Sequence, residues 1–376
     1  MNIKKNKIVL LALAALMLYG GVLFAEDSGS SQSMGYIDVH MHLAANRQNN
    51  QGEGQGKRRK KGMKAQSQPQ KDYEPAAIEL ISMMDELGVK KVVVMPPPQA
   101  KGQKGRSTYE EFIETVERHR DRLAFAAGGD YLNPMIMAID ATDVMPPMKK
   151  KFREMALRII EDGAVGFGEM TALHFSFSKT HVFEQAQADH PLFLLLSDIA
   201  AEHRLPIDLH IEAVLEDQVL PTALSKISPN NPATIKATIP GFERLLDHNP
   251  KTNIVWQHVG WDNTGHMTTV LVRRLLKAHP NLYCALKFVQ KEHETFQLGE
   301  GLMDENLKIR SKWLELISEF PDRFMIGADD FISAPGSWSA GPPSFIDTWA
   351  IIDQLPEELR DKVGRENAAR VYRINK

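Results

Sequence analysis

Residues 75–95, PAAIELISMMDELGVKKVVVM, contain a helix pattern followed directly by a strand pattern. Apolar residues recur at helical spacing from Pro75 to Leu87, and Gly88 is the residue type that most often ends a helix. The run Val92-Val-Val-Met95 that follows is continuously apolar. Such strands are typical of parallel sheets, because helices cover both faces of the sheet. This segment therefore predicts an α/β fold with a parallel sheet.

The same alternation recurs along the chain. Helical patterns cover Met267–Ala278 and Ser311–Glu319, and Ser107 with Glu110 suggests a capping box before another helix. Eight strands are predicted, at Tyr36–His40, Val89–Met95, Leu123–Ala127, Ala164–Glu169, Leu205–His210, Asn253–His258, Asn281–Phe288 and Arg323–Asp329. Eight strand–helix units in roughly 340 residues predict a single (β/α)8 TIM barrel at residues 35–376. A doubly wound open sheet is the alternative, but the sequence lacks its usual Gly-rich phosphate loop.

The composition is that of an ordinary globular protein. The chain has 376 residues, a formal net charge of −3 and 43% hydrophobic residues. It therefore has no strong overall field for nucleic acid or an anionic membrane, and we expect a small-molecule substrate as its partner. A homo-oligomer stays open. The single cysteine, Cys284, excludes an internal disulfide and lies in a predicted strand, where a packed thiol is expected.

The N-terminus has the order of a secretory signal. Three lysines within the first seven residues precede the apolar run Ile8–Ala25, and two acidic residues follow it. We predict a signal peptide at residues 1–25, a polar linker at 26–34, and export to the periplasm or beyond the cell. No stable membrane association is expected after cleavage. Leu23 is large for its place before the cleavage point, so an uncleaved membrane anchor is the alternative.

Two insertions follow predicted strands. Residues 44–71 contain the basic run Lys57-Arg-Arg-Lys-Lys-Gly-Met-Lys64 and follow strand one, where barrels carry active-site loops. Their composition predicts a disordered, solvated loop, and the alternative is a basic lid that attracts an anionic substrate. The second insertion, Glu216–Thr238, follows strand five and is also expected to border the active site.

The stretch Asp38-Val-His40-Met-His42 places two histidines on one predicted strand. Side chains alternate along a strand, so His40 and His42 point to the same side. A divalent metal is a natural partner for two neutral imidazoles inside a barrel. By itself the motif is weak, because two histidines separated by one residue occur by chance, and two surface histidines are then the expected reading.

Four further polar residues follow apolar runs at the predicted ends of strands four, five, six and eight: Glu169, His210, His258 and Asp329. Strand ends of a barrel converge on one mouth. Hydrolytic metal chemistry requires three or four protein ligands, usually histidines and carboxylates, and one open position where water can bind. The sequence therefore predicts a divalent-metal site at the mouth of the barrel.

These residues resemble the amidohydrolase superfamily, in particular its amidohydrolase-related branch, from about Tyr36 to Asn375. The resemblance includes the His-x-His pair, the turn Val165-Gly-Phe-Gly-Glu169 and both strand-end histidines. It also includes Trp313-Leu-Glu-Leu, the stretch Phe320-Pro-Asp-Arg-Phe-Met-Ile-Gly-Ala-Asp329 and the closing Glu366-Asn-Ala-Ala-Arg-Val-Tyr372. The set is specific for fold and metal dependence and does not identify a substrate.

The resemblance implies a role for each candidate ligand. The residues at the family's metal positions are His40, His42, His210 and Asp329. His258 matches a position that binds a second metal or orients water and substrate, and Glu169 would bridge two metals. Zinc is the expected ion, with manganese or iron as alternatives, and one or two ions per chain. The family often has an aromatic residue after the aspartate; Asp330 stands there instead, and Asp329 is the favoured ligand.

The implied reaction is hydrolysis of an amide, ester or lactone bond by a metal-activated water, with Asp329 as the proton carrier. Non-oxidative decarboxylation by a related site is the second reading, and a barrel retained only for binding is the third. Residues expected to line the mouth are Trp261, Asp262, His266 and Lys287. Trp261 and Lys287 are predicted to contact the substrate, with Lys287 on its carboxylate. His174 and His181 follow strand four, as pocket or loop residues.

Overall fold

The computed structural model describes residues 35–45, 71–100, 107–288, 298–335 and 345–374. Its strands are β1 (Tyr36–Leu43), β2 (Val89–Val94), β3 (Leu123–Phe125), β4 (Ala127–Gly128), β5 (Phe167–His174), β6 (Glu184–Gln185), β7 (Ile207–Ile211), β8 (Gln218–Val219), β9 (Thr234–Ile235), β10 (Ile254–Val259), β11 (Leu282–Leu286), β12 (Phe324–Ile326) and β13 (Phe331–Ile332). All eight predicted strands are present, and the α/β class is confirmed.

Helices separate most of these strands. They are α1 (Glu74–Leu87), α2 (Tyr109–Arg118), α3 (Leu132–Met137), α4 (Pro146–Glu161), α5 (Pro191–His203), α6 (Thr222–Ile227), α7 (Ile239–His248), α8 (Thr269–Ala278), α9 (Ser311–Glu319), α10 (Phe345–Trp349), α11 (Ile351–Gln354), α12 (Glu357–Asp361) and α13 (Asn367–Val371). A 3-10 turn lies at Ala141–Asp143 and a π-helical turn at Lys362–Glu366. The predicted helices at 267–278 and 311–319 correspond to α8 and α9.

The sheet closes into a barrel. The hydrogen-bonded strand order is β3-β2-β1-β12-β11-β10-β7-β5-β4, and every pairing along it is parallel. Only Ala126 separates β3 from β4, so these two segments are successive parts of one strand. The first part pairs with β2 and the second with β5, which joins the two ends of the sheet. An open doubly wound sheet would leave two edges, so the TIM-barrel prediction is confirmed.

Two helix ends show how local chemistry sets the element boundaries. Gly88 ends α1 in a left-handed conformation, at φ 70°, and donates its backbone N–H to Met84, as predicted from glycine's tolerance of positive φ. The capping box of α2 was predicted one residue too early. Its partners are Thr108 and Glu111, whose carboxylate accepts the Thr108 backbone N–H at 3.3 Å.

The buried apolar residues form two main clusters. The larger joins strand residues such as Val92 and Trp256 to the surrounding helices. The smaller combines residues from β1, β2, β10, β11 and β12 with the C-terminal segment, including Val39, Val255 and Tyr372. Side chains from that many strands meet only inside a barrel. The C-terminal segment therefore packs against the barrel interior, below the polar residues of the mouth.

The fourth barrel strand differs from its prediction. It was expected at 164–169, with Glu169 at its end, but β5 begins at Phe167 and continues to His174. Its pairing with β7 shifts register twice, between Phe167 and Met170 and between Thr171 and Leu173. Each shift marks an extra residue, which changes the face that later side chains occupy. Glu169 therefore lies inside the strand, and His174 is the residue at its end.

The insertion after strand five forms β8, α6 and β9. It packs on the loop that follows β5, where Asn231 accepts the Ser176 backbone N–H at 2.8 Å and Ser176 donates to Ser228 Oγ at 2.6 Å. Gln218 of β8 lies 3.0 Å from His266 Nε2 in the loop after β10. The insertion thus contacts the loops after β5 and β10, as expected of a segment that borders the mouth.

Several sequence predictions fall outside the described residues. They are the signal peptide at 1–25, the linker at 26–34, and residues 46–70 of the predicted basic loop. The described ends of that loop are held in place: Ala44 donates to Ile332 O at 2.7 Å, and Lys71 pairs with Glu111 at 2.8 Å. Within the described ranges, no helix combines the length and apolar character needed to cross a membrane.

Candidate metal centre

His40 and His42 lie on β1 with their ring centroids 5.1 Å apart. The Nδ1 of His42 lies 2.8 Å from the Met95 carbonyl, and the Nδ1 of His40 lies 3.1 Å from Asp208 Oδ1. A carbonyl and a carboxylate can only accept, so each Nδ1 carries the proton and donates. Each Nε2 faces the carboxylates at the mouth. Burial lowers the pKa of both rings, but the neighbouring carboxylates outweigh it and raise the pKa, so an ion that binds there would displace the Nε2 protons.

Glu169 lies at the centre of the cluster and is buried. Its Oε2 lies 3.6 Å from His40 Nε2 and 3.5 Å from His42 Nε2. Its Oε1 faces other histidines, at 2.9 Å from His210 Nδ1 and 3.7 Å from His258 Nε2. The two carboxylate oxygens therefore serve different histidine pairs, which is the geometry expected of a bridging ligand.

Asp329, rather than Asp330, contributes its carboxylate to this cluster. Its Oδ1 lies 3.1 Å from His42 Nε2, and its Oδ2 lies 2.6 Å from Lys287 Nζ and 3.5 Å from His258 Nε2. Asp330 instead accepts the backbone N–H of Phe331, whose ring stacks on His42 at a centroid distance of 4.4 Å. The structure thus places the favoured aspartate of the sequence analysis beside the histidines.

His210 is oriented by a second carboxylate. Its Nε2 lies 3.4 Å from Glu212 Oε1, which also accepts from Asn263 Nδ2 at 2.7 Å. Glu212 is therefore fixed on the outer side of the ring, and His210 Nδ1 faces Glu169. Hydrogen bonds of this kind are typical of metal-binding histidines, because they fix the ring and leave the opposite nitrogen for the metal.

His258 is the second-last residue of β10 and has a left-handed conformation, with φ 63°. Both ring nitrogens are buried and have no hydrogen-bond partner among the residues that the structure describes. Its ring centroid lies 5.1 Å from that of His40 and 4.6 Å from that of His210. All six predicted ligands are therefore brought together at one end of the barrel.

Two site residues were missed by sequence reasoning. Asp208 accepts from His40 Nδ1, from Tyr372 at 3.1 Å and from Gln257 through a short contact. Glu212 holds His210, as described above. Asp208 lies in β7 and Glu212 directly follows it, each two residues from His210, so the alternation of side chains in Asp208-Leu-His-Ile-Glu212 was a signal that could have found them.

Trp261 and Lys287 lie beside the cluster. Lys287 Nζ is 4.6 Å from the centroid of the Trp261 ring, which stacks on Phe177 at 5.7 Å. Because the ammonium of Lys287 pairs with Asp329, its predicted role in holding a substrate carboxylate stays a prediction. Asp262 does not line the mouth through its carboxylate, which accepts backbone N–H groups of its own loop, including Gly265 at 2.8 Å.

The charges of the site respond to burial and to each other. Burial lowers the pKa of His258 to about 3, so this ring is neutral. Burial also lowers the pKa of His210, but its hydrogen bonds to Glu169 and Glu212 outweigh it and raise the pKa to about 9. Burial raises the pKa of Asp329, but Lys287 and the neighbouring histidines outweigh it and hold the pKa well below its usual value. The Asp329 carboxylate is therefore ionised.

These residues fit a divalent metal ion. One ligand atom from each of four residues lies within 4.8 Å of the others: His40, His42, Glu169 and Asp329. His40 Nε2 is buried without a hydrogen-bond partner in the described part of the chain, as are both nitrogens of His258. Buried unpaired nitrogens cost free energy unless a ligand satisfies them. Imidazole and carboxylate donors suit zinc, manganese or iron.

Comparison with solved structures finds proteins of low sequence identity. An uncharacterised TIM-barrel protein from Bordetella bronchiseptica is 12% identical, with 78% of this chain and 80% of that chain covered and a TM-score of 0.48. A probable 2-pyrone-4,6-dicarboxylic acid hydrolase from Acinetobacter baumannii is 13% identical, with 91% and 100% covered and a TM-score of 0.49. Amidohydrolase 2 from Bifidobacterium longum subsp. infantis is 11% identical, with 91% and 100% covered and a TM-score of 0.42.

No curated protein matches the sequence. The family model described as amidohydrolase matches residues 37–374, which include all six candidate ligands and, apart from Tyr36, every residue of the barrel strands. The match spans most of the chain, and it agrees with the closed barrel and the histidine–carboxylate cluster at its mouth. The chain belongs to the amidohydrolase family.

Proposed function

We propose that this protein is a hydrolase that depends on a divalent metal and cleaves an amide, ester or lactone bond with an activated water. The observation that carries the proposal is the position of Glu169. Its two carboxylate oxygens face two separate histidine pairs, at 3.5 to 3.6 Å on one side and 2.9 to 3.7 Å on the other. A related decarboxylase needs one metal that coordinates the substrate, so a carboxylate in the midst of the ligands favours hydrolysis.

The ligands of the first ion would be His40, His42, Glu169 and Asp329. These side chains are buried or nearly so, and the Nδ1 hydrogen bonds of the two histidines turn both Nε2 atoms into the cluster, where an ion would take the place of their protons. A divalent ion in such a site lowers the pKa of water toward neutrality and polarises the scissile carbonyl. Zinc is the ion we propose, because its tetrahedral sites favour these donors.

Asp329 would move the proton. Its ionised carboxylate can accept a proton from the attacking water and deliver it to the leaving group, as expected of a general base that later acts as an acid. Lys287 holds Oδ2 at 2.6 Å and favours the charged form. Neutral His258, 3.5 Å from the same oxygen, would orient the water or the substrate carbonyl.

The aromatic side chains beside the mouth suggest that an uncharged or aromatic part of the substrate binds near Trp261. The Trp261 ring stacks on Phe177, and its buried Nε1 has no hydrogen-bond partner within the described ranges. An indole N–H in that state is available to a substrate oxygen. Trp261→Phe keeps the aromatic surface and removes the donor, so it should raise KM more than it lowers kcat.

The proposal is tested by activity screening of zinc-loaded protein on lactones, esters, N-acyl amino acids and aromatic carboxylates. Hydrolysis of a member of the first three classes, lost in Asp329→Asn, would support it. Release of carbon dioxide from an aromatic carboxylate without hydrolysis would establish the decarboxylase instead. Metal binding with no turnover in any class would favour a barrel that only binds.

Export is a separate proposal, supported by the basic, apolar and acidic order of residues 1–27. Protein made in a bacterial host should be found outside the cytoplasm, with an N-terminus at or near Glu26. A cytoplasmic protein that begins at Met1 would contradict it, and a membrane-bound protein that begins at Met1 would establish the uncleaved anchor.

A further inference from the structure

A second group of candidate ligands adjoins the first and shares Glu169 with it. One nitrogen of His174, one nitrogen of His210 and one carboxylate oxygen of Glu169 lie within 4.8 Å of one another. The shared carboxylate faces the first group with Oε2 and His210 with Oε1. The second group therefore lies on the opposite side of this carboxylate from His40 and His42.

His174 is held in this place by the backbone of its strand. It is the last residue of β5, and it pairs with Glu184 of the antiparallel segment β6. The second register shift of β5, between Thr171 and Leu173, turns the strand just before it. As a result, the His174 ring centroid lies 4.4 Å from that of His210.

The His174 imidazole has an unpaired nitrogen. Its Nδ1 is buried and has no hydrogen-bond partner among the described side chains and backbone groups. The neighbouring His181, whose ring lies 4.8 Å away, differs in this respect, because its Nδ1 accepts the Phe177 backbone N–H at 3.1 Å. This buried nitrogen has no hydrogen-bond partner, and it lies beside an imidazole and a carboxylate. Such a group of donors is satisfied when a metal ion binds between them.

His210 is already oriented for this role. Glu212 lies 3.4 Å from its Nε2 and is itself fixed by Asn263. The ring therefore turns Nδ1 toward Glu169 and the second group. His258, which the family resemblance would assign to a second ion, lies between the groups, 3.7 Å from Glu169 and 3.5 Å from Asp329.

We propose that Glu169, His174 and His210 bind a second divalent cation, with His174 as a ligand in addition to the six candidates described above. The inference rests on the proposed metal-dependent function, since the shared carboxylate would join the second ion to the first. Three protein ligands with the remaining positions open to water are typical of metal ions that take part in hydrolysis.

Zinc binding by the full chain tests the proposal. Equilibrium dialysis with metal quantification would compare the wild type with His174→Ala and His174→Gln, and with His181→Ala as the matched control. The wild type should hold two zinc ions per chain. Both His174 variants should keep one ion and bind the second at least about 100-fold more weakly, more than the loss of an outer partner causes. His181→Ala should keep both ions, and circular dichroism would check that each variant is folded.

The proposal is overturned if either folded His174 variant binds two ions with unchanged affinity. It is also overturned if the wild type binds one ion whose affinity His174→Gln does not change. Both outcomes leave the first ion in place and therefore leave the proposed hydrolase standing. A wild type that binds no zinc, manganese or iron would overturn the proposed function itself, so the two failures are distinguishable.

Discussion

Replacement of Asp208 by asparagine should weaken metal binding without disrupting the barrel. Asp208 is fully buried and accepts hydrogen bonds from His40, Tyr372 and Gln257. In Asp208→Asn, the amide oxygen can still accept from His40 Nδ1. The new amide N–H can be accepted by Gln257, since Gln257 Oε1 has no partner among the described groups and its amide can rotate. The variant thus removes the charge and keeps the shape.

The expected size follows from this position. Loss of an outer partner of a metal-binding histidine typically reduces metal affinity by about 10- to 100-fold, or about 1.4 to 2.7 kcal/mol. Asp208 is a buried anion that donates no proton and raises the basicity of His40, so the upper half of that range is expected. Asp208→Ala is less informative, because it leaves three buried donors unpaired at about 1 to 3 kcal/mol each.

The assay is a zinc competition titration against a chromophoric chelator, with thermal unfolding as the check on folding. Asp198→Asn is the matched control, because Asp198 also pairs with a histidine, His248, at 3.1 Å but lies 44% exposed and away from the metal ligands. The control should bind zinc as the wild type does. If Asp208→Asn binds zinc within about threefold of the control, the charge of Asp208 does not tune His40 and the reasoning fails.

Five further outcomes are expected. Asp329→Asn should lower kcat by roughly 10²- to 10⁴-fold, and Asp330→Asn should have little effect; the reverse result would show that the wrong aspartate was chosen. Metal affinity should rise with pH up to about 9, because His210 must release its proton before it can bind a metal and its pKa is raised to about 9. An affinity that calorimetry finds to be constant from pH 6.5 to 9 would contradict this. In the metal-free protein the same raised pKa contributes stability below pH ~6.5, which is lost as the pH rises through 9. Gly88→Ala should cost about 1 kcal/mol in urea unfolding, because φ is 70° there; no loss would mean that the helix end rearranges. Deletion of residues 51–68 should change the free energy of unfolding by less than ~1 kcal/mol, and a larger loss would show that the segment packs.

The barrel and the six candidate ligands could be predicted because their signals are local. A continuous apolar run followed by a polar residue identifies a strand end, and the topology of a barrel brings the strand ends together. That is why Asp329, next to the run Phe324-Met-Ile, was correctly placed near His42, 287 residues away in the sequence. The rule needs no knowledge of which side chains touch.

Contacts between polar residues on different strands could not be predicted in this way. Asp208 bonds to His40 and Tyr372 across 168 and 164 residues, and no local pattern specifies either partner. The end of the fourth strand was missed for another reason. Two register shifts in β5 interrupt the two-residue alternation on which the prediction depended, so Glu169 was placed at the strand end that His174 occupies.

Two candidate ligands at the mouth have strained backbone conformations. His258 and Asp329 have φ of 63° and 51°, a left-handed conformation that costs a non-glycine residue roughly 1 to 2 kcal/mol. At Asp329 the strain is held by a hydrogen bond to β1, since Asp329 donates its backbone N–H to His40 O at 2.8 Å. Glycine would relieve the strain at either position but would remove the imidazole or the carboxylate. Because both strained residues carry candidate ligands, the stability of the closed barrel supports a site that is already arranged before a metal or substrate binds.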